Sequence, residues 1–234
     1  MEIAAGVYSL TTTKGFDVHA FLIESGDGLL LIDTLFDPVP TIVTNEIHRL
    51  GRTLADLHTI VLTHAHRSHL GGLAALKRLS GATVCAHAWE IDIIAGERSA
   101  QAVSWRPQMP LNTYHYQIAN NLNVASHPPC RVDRPVEDGD HLGPLEVIHA
   151  PGHSPGHLAF YLPDQRVLFT GDAVVTSPKF MGGWPGFTLN VEQQAATLRR
   201  LAAYDVEVVA VGHGEPIIEQ AKARLWSLVA KVNA

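Results

Sequence analysis

Four short polar segments, each placed directly after a predicted buried strand, constrain the fold of this chain more than any other feature. They cover residues 63–69, 152–157, 171–172 and 212–214. When helices pack on a sheet that contains parallel strands, segments of this kind gather along the edge where those strands end. The pattern therefore predicts a fold in which four separated segments meet at one edge of the β-structure.

The composition is that of a globular protein with an acidic balance. Of the 234 residues, 46% are hydrophobic and 17% are charged, and the net charge is -6 with histidine neutral. Phosphate binding needs clustered lysine and arginine, so we expect no nucleic-acid partner. Residues 1–10 show no export signal and no apolar run is long enough to cross a bilayer, so we expect a cytoplasmic protein without a membrane partner. We expect Cys85 and Cys130 to be reduced thiols, with Cys85 in the core.

The first half of the chain predicts a hairpin, a helix and a buried strand. Residues 21–24 and 29–32 are short apolar runs joined by a turn at residues 25–28, and Asp33 follows the second run. A helix capped by Asp37 and Pro38 is expected next. The remaining predicted elements are a strand over residues 59–63 that leads to His64, a helix over residues 70–79, a strand over residues 83–86, and an irregular, partly helical excursion over residues 97–134.

The second half repeats this order of elements. Its predicted strands cover residues 145–149, 158–162, 167–170 and 206–211, and the last leads to His213. Asn190 is expected to cap a helix whose buried face carries Val191, Ala195 and Leu198. A closing helix is expected to follow Pro216 and to bury Ile218, Ala221, Leu225, Leu228 and Val232. The repeated order of elements predicts one domain over residues 1–234, built from two halves of about 1–125 and 126–234. The predicted fold is an α/β sandwich of two packed sheets with helices outside.

Three histidines in the first polar segment introduce metal chemistry. His64 and His66 are two residues apart, so at an extended strand end both imidazoles point to the same side. His69 follows as the chain turns into the next helix. Imidazole is a preferred ligand of zinc, at roughly 2.0–2.1 Å. A loop that is merely rich in histidine is the alternative, and this segment alone favours metal binding only slightly.

The other three segments favour the metal interpretation. They contribute His153, Asp172 and His213, each beside a glycine that permits a tight loop. Each segment is a weak signal by itself. Their shared position at strand ends is what a site built from loops on one edge requires, so a metal site is the better interpretation.

The ordered set of segments, from about residue 18 to residue 214, resembles the metallo-β-lactamase superfamily, which includes glyoxalase II-type thioesterases and lactonases. The resemblance implies a four-layer αβ/βα sandwich with two mixed sheets. It also implies zinc, as one or two ions, with iron and manganese as alternatives. The ligands it implies are His64, His66 and His153 for the first ion, His69 and His213 for the second, and Asp172 as the bridge between them.

Ser68 departs from the family motif H-x-H-x-D-H. It stands where the family has an aspartate that ligates the second metal. A hydroxyl is a poor zinc ligand and carries no negative charge, so we expect a weakened second site. Our first interpretation of Ser68 is an N-cap of the helix over residues 70–79, and the second is a catalytic hydroxyl.

Several other residues have simpler interpretations. His157 is expected to pack behind the ligands, since His153 fills the ligand position, and Asp33 is expected to face the His64 segment from outside. Residues 184–187 carry three open interpretations: the wall of a substrate pocket, internal loop packing, or a homodimer contact. Surface or loop positions are expected for His19, His48, His58, His87, His115, His127, His141 and His149.

The activity that the resemblance implies is hydrolysis of a small molecule. A zinc-bound hydroxide would cleave an ester, thioester, lactone or β-lactam bond, with Asp172 and Ser68 as the candidate catalytic residues. An antibiotic-degrading β-lactamase is disfavoured among these, because no export signal is visible. Two alternatives stay open: an oxidoreductase with a single iron, like the persulfide dioxygenases of this fold, and a ligand-binding relative whose site has decayed.

Overall fold

The computed structural model describes residues 1–13, 17–26, 28–108, 110–124 and 127–232. Within these residues, strands form one sheet of seven and one of five. The first sheet contains, in spatial order, β1 (Glu2–Ala4), β2 (Val7–Thr13), β3 (Asp17–Ser25), β4 (Gly28–Ile32), β5 (Leu57–Val61), β6 (Thr83–Ala86) and β7 (Arg134–Pro135). The second contains β8 (His141–Leu142), β9 (Leu145–His149), β10 (Leu158–Leu162), β11 (Val167–Gly171) and β12 (Val208–Val211), also as neighbours in this order.

Helices cover the outer faces of both sheets. In chain order they are α1 (Thr41–Arg49), α2 (Arg67–Leu70), α3 (Leu73–Ser80), α4 (Ile91–Ile94), α5 (Tyr114–Asn121), α6 (Val191–Ala202) and α7 (Ala221–Val232). Helices α1 to α4 pack on the first sheet, whereas α6 and α7 pack on the second. Among the described residues, none of the helices combines the length and the apolar content needed to span a membrane.

Alternation of side chains along the strands builds the layers. In β4, Leu29 and Leu31 join the cluster under the helices, whereas Leu30 and Ile32 join the cluster between the sheets. Successive side chains of a strand point to opposite faces, so a strand that is apolar throughout can serve two layers. Phe21 of the first sheet meets Phe169 of the second edge to face, with 5.2 Å between ring centroids. The predicted sandwich of two mixed sheets with helices outside is confirmed.

Parallel pairs bring the polar segments to one edge. Strand β4 runs parallel to β5, and β11 runs parallel to β12. These four strands lead in turn to Asp33, His64, Asp172 and His213. The backbone N–H of His19 in β3 donates to the carbonyl of Gly212 at 3.0 Å, which joins the two sheets beside these segments. The division into halves at about 1–125 and 126–234 within one domain stays a prediction.

The first predicted helix begins later than expected. Helix α1 starts at Thr41 with Pro40 as its N-cap residue and no side-chain capping bond, so the cap assigned to Asp37 and Pro38 is wrong. Residue Val39 precedes a proline and is therefore pushed out of the helical region. The hairpin prediction is confirmed, since Ser25 pairs with Gly28, and Asp27 of its turn lies outside the described residues.

The helix predicted over residues 70–79 is divided in two. Helix α2 ends at Leu70 and α3 begins at Leu73, because Gly71 lies against the chain before α1. A Cβ atom on Gly71 would lie 2.0 Å from the carbonyl oxygen of Phe36, so only glycine fits there. The helical conformation begins at Arg67, with His66 as the N-cap residue. Ser68 therefore lies inside α2, and the N-cap interpretation of Ser68 is wrong.

The two C-terminal helices confirm their predicted positions but not every buried residue. Asn190 caps α6 by accepting a hydrogen bond from the backbone of Gln193 at 3.0 Å. Val191 is nevertheless 73% exposed, because the buried face of α6 runs through Leu198 and Leu201 instead. Ile218 precedes α7 and is also exposed, whereas the predicted burial of Ala221, Leu225 and Leu228 is confirmed. The predicted burial of Val232 concerns a side chain outside those that the structure describes.

Candidate metal centre

A first group of four side chains meets at the shared edge. His64 Nε2 lies 3.1 Å from His66 Nδ1, which in turn lies 3.0 Å from His153 Nε2. Asp172 Oδ2 lies 3.8 Å from His64 Nε2 and 3.6 Å from His153 Nε2. Four ligands placed tetrahedrally around an ion at about 2.0–2.1 Å are about 3.3 Å apart. The group could therefore hold a metal ion with small adjustments of its side chains.

A second group shares the same aspartate. His213 Nε2 lies 3.3 Å from Asp172 Oδ2, and His69 Nε2 lies 3.4 Å from Asp172 Oδ1. His69 Nε2 and Asp172 Oδ1 are both buried and lack a hydrogen-bond partner among the described residues. Buried polar atoms are normally satisfied, so these two atoms point to a missing partner. A cation between them would satisfy both, and the second group also fits a metal ion.

Hydrogen bonds behind the rings leave the correct nitrogens free. The Asp33 carboxylate accepts from the Thr63 hydroxyl at 2.8 Å and lies 2.8 Å from His69 Nδ1. Since Thr63 donates its proton to Asp33, its oxygen accepts from His64 Nδ1, 3.0 Å away. His213 Nδ1 faces the carbonyl oxygen of Asp17 at 3.1 Å. In all three rings Nδ1 is the donor, so Nε2 is the nitrogen left to face a ligand. The predicted outer position of Asp33 is confirmed.

The electrostatics of the first group favour neutral rings. Burial lowers the pKa of His64 and of His153 well below the usual range, and it lowers the pKa of His66 to about 4. Burial alone would raise the pKa of Asp172, but His213 and His69 together outweigh it and hold that pKa well below its usual range. Neutral imidazoles beside an ionised carboxylate are the ligand forms that divalent metals require.

His69 differs from the first group because two carboxylates flank it. Burial lowers the pKa of His69, but Asp172 and Asp33 outweigh burial and raise that pKa to about 10. A dication bound at His69 Nε2 would replace the proton that Asp172 and Asp33 otherwise stabilise on this ring.

Ser68 lies beside the second group without joining it. It is half-buried in α2 and lines the cavity described below. No hydrogen bond of its hydroxyl is found in the part of the chain that the structure describes. The group formed by His69, Asp172 and His213 therefore has three candidate ligands where an aspartate at residue 68 would add a fourth.

Two further histidines lie behind the groups. His157 is fully buried, and its Nε2 accepts a hydrogen bond from the backbone N–H of Asp172 at 3.1 Å, which confirms its predicted packing role. The surface position predicted for His19 is wrong. His19 is buried in β3, with Nδ1 2.8 Å from the Ser9 hydroxyl, because β3 extends to Asp17 and pairs with β2 along this length. The other seven lie at exposed or half-buried positions: His48, His58, His87, His115, His127, His141 and His149.

A cavity of about 570 Å³ opens directly above both groups. His66, Ser68, Asp172 and His213 form its floor. Its walls include four aromatic side chains: Phe36, Tyr116, Trp184 and Phe187. An apolar cavity with a few converging polar groups is the usual form of a small-molecule site.

The loop at residues 184–187 closes one side of this cavity. The Trp184 ring stacks on His213, with 4.5 Å between centroids, and Phe187 meets His66 edge to face at 5.8 Å. Gln117 of α5 is fully buried and donates from Nε2 to the carbonyl of Gly186 at 3.0 Å. The pocket-wall interpretation of these residues is thus favoured, and α5 from the irregular excursion holds the loop. Sequence reasoning missed Gln117, because its partner Gly186 lies far away along the chain.

Comparison with known proteins decides the family. The family model of the metallo-beta-lactamase superfamily matches residues 13–213, which is most of the chain. The chain belongs to the metallo-β-lactamase superfamily. It is an enzyme of the hydrolase class that has this fold.

The chain is similar to several curated proteins. One is a probable metallo-hydrolase, YflN of Bacillus subtilis (strain 168), which is 26% identical; the match spans 92% of this chain and 86% of YflN. A hydroxyacylglutathione hydrolase of Rhodobacter capsulatus is 32% identical over 77% of this chain, and the match spans 59% of that relative's length. Among solved structures, TTHA1623 in a di-iron-bound form is 27% identical with a TM-score of 0.70, covering 94% of this chain and 98% of that one.

Proposed function

We propose that this protein is a metal-dependent hydrolase that cleaves an acyl bond of a small molecule. The observation that carries the proposal is the sharing of Asp172 by two groups of buried histidines on the floor of one cavity. The proposed ligands are His64, His66 and His153 with Asp172 in the first group, and His69 and His213 with Asp172 in the second. Zinc is the proposed metal, as one or two ions, and iron and manganese are the alternatives.

A divalent ion held by these residues would polarise the substrate carbonyl and supply hydroxide near neutral pH. The chain's own residues prepare the site for this chemistry. Asp172 stays ionised, and its negative charge would help either group to hold a cation. Asp33 fixes the ring of His69, and Trp184 shields His213 from bulk water by stacking on it. The aromatic walls would bind the apolar part of the substrate and leave its carbonyl at the floor.

Ser68 is proposed to act at the floor of the cavity rather than as a helix cap. Its hydroxyl has no hydrogen-bond partner among the described residues. It could therefore donate a hydrogen bond to the substrate or accept one from it. It supplies no charge to the second group, so we propose a second site of lower affinity than the first.

Esters and thioesters are the proposed substrates of first choice, with lactones next and β-lactams last. A thioester is favoured because one relative is named a hydroxyacylglutathione hydrolase. Iron stays the main alternative metal because a similar solved structure holds two iron ions. An oxidoreductase with one iron would use the same residues, and a measurement of metal content and reaction type separates it from a hydrolase.

The test combines metal analysis with a substrate panel. Zinc, iron and manganese are measured in the purified protein, and p-nitrophenyl esters, a hydroxyacylglutathione, lactones and nitrocefin are assayed before and after chelation. We expect hydrolysis that is lost on chelation, restored by zinc and abolished in His153→Ala. The control His141→Ala changes an exposed histidine outside both groups and should retain full activity. Hydrolysis that survives complete metal removal, or oxygen uptake with a persulfide and no hydrolysis, would contradict the proposal.

A further inference from the structure

A buried carboxylate lies behind the first group, outside the cavity and outside both sets of proposed ligands. Glu90 follows β6 in a short 3-10 turn, Ala88–Glu90, and is only 2% exposed. Burying a carboxylate is costly unless hydrogen bonds satisfy it. Burial raises the pKa of Glu90 to about 7, and the hydrogen bond from Ser154 opposes this rise. The hydrogen bonds that satisfy the Glu90 carboxylate therefore indicate which segments it holds in place.

Glu90 contacts the two loops that carry the histidines of the first group. Its Oε2 accepts a hydrogen bond from the backbone N–H of Ala65, the residue between His64 and His66, at 3.1 Å. Its Oε1 accepts a hydrogen bond from the hydroxyl of Ser154, the residue after His153, at 2.5 Å. One carboxylate therefore joins two segments that are almost ninety residues apart in the chain.

The loop around His153 is shaped to receive this carboxylate. The backbone N–H of Gly156 also faces Glu90 and lowers the pKa of its carboxyl. A Cβ atom on Gly156 would lie 2.9 Å from the Cγ and Oε1 atoms of Glu90 and 2.9 Å from His87 Nδ1, so a side chain at residue 156 would displace Glu90. Ala65 lines the cavity, whereas Glu90 is not among its lining residues, so the carboxylate acts on the ligand loops from behind.

We propose that Glu90 is a positioning residue that sets the spacing between the His64–His66 pair and His153, and thereby the zinc affinity of the first group. This inference rests on the proposed function, since it takes those histidines as ligands. Glu90 touches neither the metal nor the substrate in this role. Outer hydrogen-bond partners of metal ligands typically contribute 10–100-fold in affinity.

The experiment measures zinc affinity of the folded protein by competition with a chromophoric chelator. We expect Glu90→Ala to weaken zinc binding at the first group by about 10–100-fold, and Ser154→Ala, which removes one contact, by about tenfold or less. Glu90→Gln keeps the size of the side chain and part of its hydrogen bonding, so its loss should lie between wild type and Glu90→Ala. The control is Glu146→Gln, a β9 carboxylate that accepts a hydrogen bond from Tyr204 at 2.7 Å and belongs to neither group.

A second measurement separates positioning from mere structural support. Urea unfolding in the presence of chelator gives the stability of each metal-free variant. A structural role alone would lower this stability and leave the zinc affinity of the folded protein unchanged, and that result overturns the inference. If Glu90→Ala does not fold, Ser154→Ala decides by the same criterion. If wild type itself binds no zinc, iron or manganese, the proposed function fails rather than the role of Glu90 alone.

Discussion

Replacing Ser68 with aspartate adds a carboxylate beside the second group and changes little else. Ser68 is half-buried, lines the cavity and has no hydrogen-bond partner among the described residues that the substitution would break. It lies in the first turn of α2, where an acidic side chain is favourable. The variant therefore tests the ligand count of the second group without a large effect on folding.

Three effects set the size of the change in zinc affinity. At an effective dielectric constant of about 20, unit charges about 4 Å apart interact by roughly 4 kcal/mol. In the metal-free variant the new side chain can turn into the cavity and avoid Asp172, so bringing it beside a bound dication would gain about 8 kcal/mol and cost about 4 kcal/mol of repulsion from Asp172. Partial removal of the new carboxylate from water costs about 2 kcal/mol more. The net gain of about 2 kcal/mol corresponds to roughly 30-fold tighter binding.

The assay is zinc titration against a chromophoric chelator, analysed for two sites, together with kcat/KM for the best ester. We expect Ser68→Asp to tighten the weaker site by roughly 30-fold, to leave the stronger site unchanged and to raise kcat/KM. Ser68→Asn is the matched control, because it has a similar size but no charge. If Ser68→Asp changes neither quantity, the serine does not limit the second site. If zinc binds more tightly but activity collapses, the Ser68 hydroxyl itself takes part in the reaction.

Two further predictions concern the core and the thiols. Phe160→Ala should lower the free energy of unfolding in urea by about 3–5 kcal/mol, because the side chain is fully buried between the sheets. The control Leu79→Ala, at an exposed position of α3, should change this free energy by less than about 0.5 kcal/mol. A similar loss in both variants would refute this assignment of the core. Burial raises the pKa of Cys85 to about 11 and also raises the pKa of Cys130, so neither thiol should react with Ellman's reagent at pH 8 until the chain unfolds. Rapid reaction of the native protein with one thiol would contradict this.

The positions of the strands and of the proposed ligands could be predicted because they depend on local sequence. Apolar runs such as residues 158–162 have few alternatives to a buried strand, and a polar residue just after such a run must lie at an edge of the sheet. His64, His153, Asp172 and His213 all follow this rule. The meeting of their side chains required only that the strands lie side by side, which the two packed sheets provide.

The errors have a common physical cause, since they depend on contacts that are distant along the chain. The helix predicted over residues 70–79 is divided because Gly71 packs against the backbone of Phe36. Ser68 is not its N-cap because a separate helix, α2, already begins at Arg67. His19 is buried because β3 pairs with β2 beyond the apolar run that marked the strand. Glu90 and Gln117 carry no motif at all, because their partners, Ser154 and Gly186, lie more than sixty residues further along the chain. No local pattern could have indicated such pairs.

The order of the proposed ligands along the chain has a consequence for synthesis. The first group spans His64 to Asp172, and the second is complete only with His213. A nascent chain therefore exposes the first histidines long before their partners exist, and a metal site rarely forms before its chain folds. We expect metal uptake by the second group to follow synthesis and folding of the segment that carries His213. The ion that is acquired then depends on which metals the finished protein meets, since similar ligand sets select among them largely by availability.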